Sequence, residues 1–207
     1  MDMASRANFR GTAEDLINAA ERLFAESDSE PSLREIGQAA GSANKNAIQY
    51  HFGDRRGLID AVFKSRLPLV ESHRVRLLME ATPNGENLDL RQLLEILFRP
   101  IAELKSADGK RLFAGFLRKT ADLRRDGELS RDITPMTIYI VHLIYANIEI
   151  SDRAICQQRI LACTRFFLQA LSNFDSGNSV FSEEQTIEEA LNQCAAILVT
   201  PLPSGIS

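Results

Sequence analysis

The sequence predicts an all-α protein of about nine helices. Leu, Ala, Ile, Glu and Arg, which favour helices, are abundant along the chain. Apolar residues recur at intervals of three and four in almost every segment, and we find no segment with the period-two alternation of a strand. The 207 residues suffice for one small helical domain followed by a larger one.

Capping signals divide the first part of the chain. Thr12 is followed three residues later by a carboxylate, which predicts a first helix that starts there and ends near Glu26. Ser32 and Glu35 have the spacing of a capping box and predict the start of a second helix. Gly41 tolerates positive φ and is expected to end that helix.

A third, short helix is expected over residues 44–51. Ala47 and Ile48 would face inward, and Phe52 would close the cluster. Asp54 is placed to cap the helix that follows. The remaining side chains of this stretch would face solvent, and they are polar: Asn44, Lys45, Asn46, Gln49 and Tyr50.

Proline, glycine and cap residues divide the rest of the chain. One helix is expected to continue to Met79 with a kink at Pro68, and another to run from Leu90 to Leu104 with a kink at Pro100. The segment over residues 82–87 separates them. Further helix starts or turns are predicted at Leu112, Asp126-Gly127, Pro135, Ser151 and Ser182.

Composition limits the class of protein. Apolar residues make up 44% and charged residues 25% of the chain, which is ordinary for a globular protein. No apolar run approaches the ~20 residues of a membrane-spanning helix, and the N-terminus has no secretory signal pattern. We therefore expect a cytoplasmic protein with no membrane partner. Cys156, Cys163 and Cys194 fall in apolar helical patterns and are expected to be buried free thiols, with no metal or cofactor bound.

Positive charge is concentrated near the third predicted helix, although the net charge of the chain is −4. Residues 41–66 contain five basic side chains and two acidic ones. Arg6 and Arg10 add positive charge to the N-terminal arm, whereas acidic residues cluster near the C-terminus. One end of the protein is therefore suited to an anionic partner.

Three compact helices with a tight turn between the last two follow the helix-turn-helix plan. In this plan the second helix of the pair, here the third predicted helix, enters the major groove of DNA. Asn and Gln can pair with adenine there, and Lys can reach guanine or phosphate. The polar side chains of residues 44–50 fit that task. The residues expected to contact phosphate are Ser32, Arg55, Arg56, Arg6 and Arg10.

The stretch LINAAERLFAESDSEPSLREIGQAAG, followed by YHFGDRRGLIDAV, resembles the N-terminal domain of TetR-family transcriptional regulators. Residues that match the family pattern are Ala19, Ala20, Leu23, Phe24, Ile36, Gly37, Ala40, Gly41, His51 and Phe52. The spacing from Gly41 to the His51-Phe52 pair is one residue longer than is common in the family. This leaves open which of Asn44, Lys45 and Asn46 would face the bases.

The resemblance implies a homodimeric regulator that binds a double-stranded palindromic operator and is released by a small effector. The apolar, Phe-rich middle of the chain favours a hydrophobic one. Residues 1–55 would form the DNA-binding domain with a flexible N-terminal arm, residues 56–199 the ligand-binding and dimerisation domain, and residues 200–207 a disordered tail. Candidate pocket residues are Phe98, Phe113, Phe116, Tyr139, His142 and Tyr145. Candidate dimer-interface residues are Phe166, Phe167, Leu171, Ile187, Leu191 and Leu198.

Two other classes of function remain as alternatives. A helical protein-interaction module would show the same helices without regulated DNA binding. An enzyme has less support, because none of the three histidines has the spacing of a catalytic or metal site, and no glycine-rich phosphate loop is present. We therefore expect no catalytic residues.

Overall fold

The computed structural model describes residues 3–27, 29–42, 46–85, 87–121, 134–148, 150 and 152–202, and the side chains of residues 3–12 are outside this description. Nine helices and no strand are found in these ranges, which confirms the all-α prediction. None of the helices described is long and apolar enough to cross a membrane. The helices are α1 (Met3–Glu26), α2 (Leu33–Ala39), α3 (Ala47–Phe52), α4 (Arg55–Ala81), α5 (Leu90–Glu103), α6 (Leu112–Thr120), α7 (Pro135–Ala146), α8 (Arg153–Asp175) and α9 (Glu183–Val199).

The predicted start of the first helix at Thr12 is wrong, because α1 already begins at Met3. Met, Ala and Arg before Thr12 are good helix formers, and together they offset the cost of Gly11, which is about 1 kcal/mol. Arg6 and Arg10 therefore lie in α1 rather than in a separate arm. The predicted end at Glu26 is confirmed.

Most of the predicted caps are confirmed. The Ser32 amide donates to a Glu35 carboxylate oxygen at 2.7 Å, and the Glu35 amide donates to Ser32 Oγ at 3.2 Å. These hydrogen bonds from Ser32 hold the pKa of Glu35 below its usual value. Ser182 forms the same kind of box at the start of α9, and Pro135 is the first residue of α7. Ser151 and the Asp126-Gly127 turn lie outside the described residues, and Asp152 caps α8.

The chain divides into two compact units, of which the first comprises Met1–Pro68 and Gly115–Asp132. It therefore extends beyond residue 55, the boundary that the sequence indicates. Its core includes Phe24, whose ring meets the edge of Phe116 with centroids 5.8 Å apart. A Cβ added at Gly115 would lie 2.9 Å from the Ala25 Cβ, so only glycine fits there without a shift of α6 against α1.

A buried ion pair ties α4 to α1 within this first unit. Arg66 Nη2 lies 2.7 Å from Glu21 Oε2, and the Glu21 side chain is only 5% exposed. Arg66 also donates to Asn18 Oδ1 at 2.7 Å. The hydrogen bonds to Glu21 raise the pKa of Arg66. Because the Glu21 carboxylate is desolvated, the fold depends on Arg66 to compensate its charge.

The second unit comprises Leu69–Ala114 and Ile133–Ser207. Phe98 of α5 stacks on Phe167 of α8 with ring centroids 5.0 Å apart. Cys156, Cys163 and Cys194 are buried free thiols, as predicted. The thiols of Cys163 and Cys194 each contact the backbone carbonyl of the other residue, at 3.4 and 3.5 Å, and thereby join α8 to α9.

Arg74 joins three helices of this second unit, although it is only 5% exposed. From α4, its guanidinium donates to the Leu97 carbonyl of α5 at 2.9 and 3.2 Å and to Thr137 Oγ1 of α7 at 2.7 Å. Glu71 supplies the compensating carboxylate at 2.7 Å. Burial lowers the pKa of Arg74, so these contacts are needed to hold the charge inside the unit.

Arg99 of α5 binds carboxylates of α9. Its Nη2 lies 2.8 Å from both Glu184 Oε1 and Glu188 Oε1. The hydrogen bond from Arg99 lowers the pKa of Glu184, and the hydrogen bond from Lys105 lowers that of Glu183. These carboxylates therefore bind protons more weakly in the folded chain than in the unfolded chain.

We predict that Glu21→Gln destabilises the protein by about 2 kcal/mol, because Arg66 then lacks a charged partner in a partly buried site. The urea midpoint is the measurement. Glu26→Gln is the matched control, since it removes an exposed carboxylate five residues along the same helix. Equal midpoints for the two variants would show that the Glu21–Arg66 pair is unimportant.

We also predict that stability falls as pH drops from about 5 through the lowered folded-state pKa values of Glu183 and Glu184, because the unfolded chain takes up protons first. Arg99→Gln should reduce the loss of urea stability between pH 5 and pH 3, about the range of carboxylate titration. Arg76→Gln, which breaks an exposed pair within one helix, should leave this loss unchanged. The account of Arg99 fails if its variant keeps the wild-type pH dependence.

Candidate functional site

The end of α2 has the backbone geometry that the sequence predicts for its last residues. Gly41 adopts φ +65°, as predicted for the residue that ends α2. The Ser42 amide donates to the Gly37 carbonyl at 3.0 Å and closes the end of that helix. Ala47 and Ile48 are 4% and 6% exposed, so their predicted inward positions are confirmed. They hold α3 against the rest of the first unit.

The start of α3 differs from the prediction. Asn46 is the N-cap residue with φ −103° and ψ 8°, and the helix spans Ala47–Phe52. The Asn46 side chain makes no capping hydrogen bond, although asparagine is a favoured N-cap residue. Asn44 and Lys45 lie outside the described residues.

The outer face of α3 is polar and aromatic. Gln49 is exposed, and Tyr50 is 67% exposed, which is unusual for a tyrosine that has a core available beside it. The His51 ring meets the edge of the Tyr50 ring with centroids 5.1 Å apart. Asn46 is exposed as well, while His51 and Phe52 are half-buried. The structure thus brings Asn46, Gln49 and Tyr50 to one exposed surface, which we call the α3 face.

Gly53 ends α3, and Gly57 in the first turn of α4 lets the two helices approach closely. Gly53 adopts φ +79°, and its amide donates to the Gln49 carbonyl at 3.0 Å. Asp54 caps α4, as predicted, and accepts from the Gly57 amide at 2.8 Å. A Cβ at Gly57 would lie 1.9 Å from the Phe52 carbonyl oxygen. The absence of a side chain at Gly57 therefore sets how closely α3 approaches the first turn of α4.

Arg55 makes three contacts within the first unit. Its Nη1 lies 2.5 Å from Glu30 Oε1, its Nη2 donates to the Pro31 carbonyl, and its guanidinium lies 5.7 Å from the centre of the Phe24 ring. These contacts bind the start of α4 to the loop between α1 and α2. The sequence could not reveal this role, because Glu30 and Arg55 are separated by a turn and two helices.

The other predicted phosphate ligands have different surroundings. Ser32 is exposed at the start of α2, but its Oγ already accepts the Glu35 amide. Arg56 is exposed at the start of α4. Arg6 and Arg10 lie in α1, and their side chains are outside the described part of the chain. Ser32 and Arg56 thus both lie on the surface of the first unit.

A cavity of about 620 Å³ lies in the second unit, where α7 ends and α8 begins. Two of the predicted pocket residues, His142 and Tyr145, line it together, with ring centroids 6.3 Å apart. Its other lining residues, which sequence reasoning did not select, are Ala146, Ile148, Ile150, Arg153 and Cys156. These residues flank the break between α7 and α8. The grouping of apolar and charged residues around this break is the sequence feature that could have indicated a cavity there.

The remaining pocket candidates lie elsewhere. Phe98 and Phe113 are buried in the second unit, and Phe116 is buried in the first. Tyr139 is 51% exposed and is not among the residues that line the cavity. The three phenylalanines pack against other core side chains, as the Phe98–Phe167 stack shows, and so belong to the core.

Most of the predicted dimer-interface residues are also core residues of a single chain. Phe166 is half-buried, whereas the other five are at most 2% exposed: Phe167, Leu171, Ile187, Leu191 and Leu198. The apolar stripe of each helix therefore packs on its own unit. The apolar side chains that α8 and α9 do expose include Leu161, at 50%, and Val199, at 58%.

Comparison with known proteins gives no further assignment: no protein-family model matches the chain, and no curated protein matches it.

We predict that Gly57→Ala destabilises the first unit by about 1–3 kcal/mol, because the new methyl group must displace the Phe52 carbonyl. Gly37→Ala is the matched control. Its Cβ would have nothing within 4 Å, so helix propensity should stabilise that variant by about 0.5–1 kcal/mol. Thermal unfolding of both variants gives the comparison. A neutral Gly57→Ala would contradict the close approach described here.

Proposed function

We propose that the protein is a DNA-binding transcriptional regulator of the TetR type, a repressor that binds a palindromic operator through the α3 face. The observation that carries this proposal is the combination of α3's two buried anchors with its exposed Asn46, Gln49 and Tyr50. A helix that fixes itself with Ala47 and Ile48 and presents amides outward is suited to reading adenine in the major groove.

The surroundings of α3 support contact with a duplex. Ser32 at the start of α2 and Arg56 at the start of α4 are both exposed. Such groups at helix starts can bind phosphates and set the register of the reading helix. Arg55 contributes indirectly, because its contacts with Glu30 and Phe24 hold the start of α4 in place. We assign Arg55 a positioning role.

A palindromic operator requires two copies of the α3 face, so the proposal includes a two-fold homodimer. The exposed side chains of α8 and α9, among them Leu161 and Val199, would meet the partner chain. Because the main apolar stripes of these helices are used inside the unit, the interface would combine scattered apolar contacts with polar ones.

The proposal assigns release of DNA to a small molecule in the cavity beside α7 and α8. Arg66 anchors α4 to α1 in the first unit, and Arg74 anchors α4 to α5 and α7 in the second. α4 is therefore the segment through which ligand and DNA would oppose one another. By linkage, each must weaken the other's binding by the same factor.

The first test is the salt dependence of duplex binding. We expect fluorescence anisotropy with a mixed-sequence duplex to show affinity that falls steeply and log-linearly with salt, since basic side chains release counterions from phosphates. A helical interaction module predicts no such affinity. Absence of salt-sensitive binding would overturn the proposed function.

The second test removes Gln49 of the α3 face together with Lys45, which the sequence predicts to contact DNA. Lys45→Ala with Gln49→Ala should weaken binding to a preferred duplex at least tenfold, about the effect of losing one to two base contacts. Lys110→Ala with Gln157→Ala, which removes the same residue types from exposed positions of the second unit, is the control. Circular dichroism and sedimentation should show both double variants folded and unchanged in oligomeric state. Equal DNA affinities would exclude α3 as the reading helix.

A further inference from the structure

We propose that the cavity between the end of α7 and the start of α8 binds an amphipathic organic monoanion, such as a carboxylate with an apolar body. The sequence favours a small hydrophobic effector, and the lining residues add a charged group to that chemistry. This inference rests on the proposed function only in taking the cavity as the effector site, and it concerns binding to the protein without DNA.

The size of the cavity suits a small molecule. Its volume of about 620 Å³ falls within the ~300–1,000 Å³ typical of ligand sites. Ile148 and Ile150 come from the segment between the two helices and Ala146 from the last turn of α7, and they supply an apolar wall. A wall of this kind favours the apolar body of a ligand through the burial of its surface.

Polar groups line the same cavity. Arg153, the first residue of α8, brings a guanidinium that keeps its charge at any physiological pH. Tyr145 brings a phenol, and burial raises its pKa, so it stays a hydrogen-bond donor. The His142 ring lies against Tyr145 and can donate or accept. A site with one permanently charged guanidinium and neighbouring hydrogen-bond donors is suited to bind one carboxylate.

Among the described residues, two charged side chains near the lining are engaged in other contacts, and one thiol contributes to the wall. Asp152 precedes Arg153, but its Oδ1 accepts from the Ala154 amide at 2.7 Å and is engaged in capping α8. Arg159 donates to the carbonyls of Leu198 and Thr200 and is directed toward the end of α9. The Cys156 thiol contacts the Ile150 carbonyl at 3.4 Å, and burial raises its pKa, so it contributes a neutral wall.

Matched probes separate charge from apolar burial. Octanoate, octan-1-ol and octylamine share one chain, and 4-phenylbutyrate with 4-phenylbutan-1-ol supplies an aromatic pair. Calorimetric titration into the full chain should show that at least one carboxylate binds about tenfold more tightly than its alcohol, the gain of a charge-assisted hydrogen bond. Octylamine should bind most weakly, because Arg153 repels it.

Variants of Arg153 test the assigned cation. Arg153→Gln should remove the preference for carboxylate over alcohol, and Arg153→Lys should retain most of it because the charge is kept. Arg165→Gln, which changes an exposed arginine of the same helix that does not line the cavity, should leave the preference unchanged. Far-ultraviolet circular dichroism checks that each variant is folded.

The inference is overturned if neither carboxylate binds at ~1 mM, the weak limit of specific affinity. It is also overturned if alcohols bind as tightly as carboxylates, or if Arg153→Gln keeps the wild-type preference. Carboxylate binding that leaves duplex affinity unchanged would sustain the inference and refute regulated release of DNA. Failure of duplex binding alone would refute the proposed function and leave the carboxylate site standing.

Discussion

The proposed reading surface depends on how a six-residue helix, Ala47–Phe52, is held in place. A helix of this length has no stability of its own in water, because isolated helices need roughly 12–15 residues to be even marginal. Ala47 and Ile48 supply its buried contacts, and Gly57 lets the Phe52 carbonyl lie against the first turn of α4. The polar α3 face can be exposed because these contacts at its inner side and its end fix the helix.

The same logic extends along α4. The contacts of Arg55 with Glu30 and Phe24 hold the start of the helix, and the Glu21–Arg66 pair holds it further on. In the second unit, Arg74 holds α4 against α5 and α7 through hydrogen bonds. Each of these guanidiniums joins elements that are distant in sequence. The pairs of Arg66 and Arg74, in which one member is buried, are costly to break from one side. These contacts fix the first part of α4 within the first unit and its later part within the second.

Short-range sequence patterns predicted most of the helices. Most features that the sequence did not predict depend on contacts between residues that are distant in sequence. The capping boxes at Ser32 and Ser182 use residues three positions apart, so the sequence displays both partners. No short-range sequence pattern predicts the ion pair between Arg55 and Glu30. Helical periodicity identified the apolar stripes of α8 and α9, but periodicity does not tell whether a stripe meets its own chain or a partner. Leu171 and Leu191 proved to be core for that reason. His142 and Tyr145 share one helix and both line the cavity, whereas Arg153 lies across a break between helices, where helical periodicity does not connect it to them.

The central claim is that two copies of the α3 face read a symmetric DNA site. Selection of bound duplexes from a random-sequence pool by the full chain tests it most directly. The account predicts enrichment of a palindrome whose half-sites lie about one helical turn or a multiple of it apart, as two symmetric reading helices require. Recovery of unenriched sequence, or of a single motif without two-fold symmetry, would contradict it.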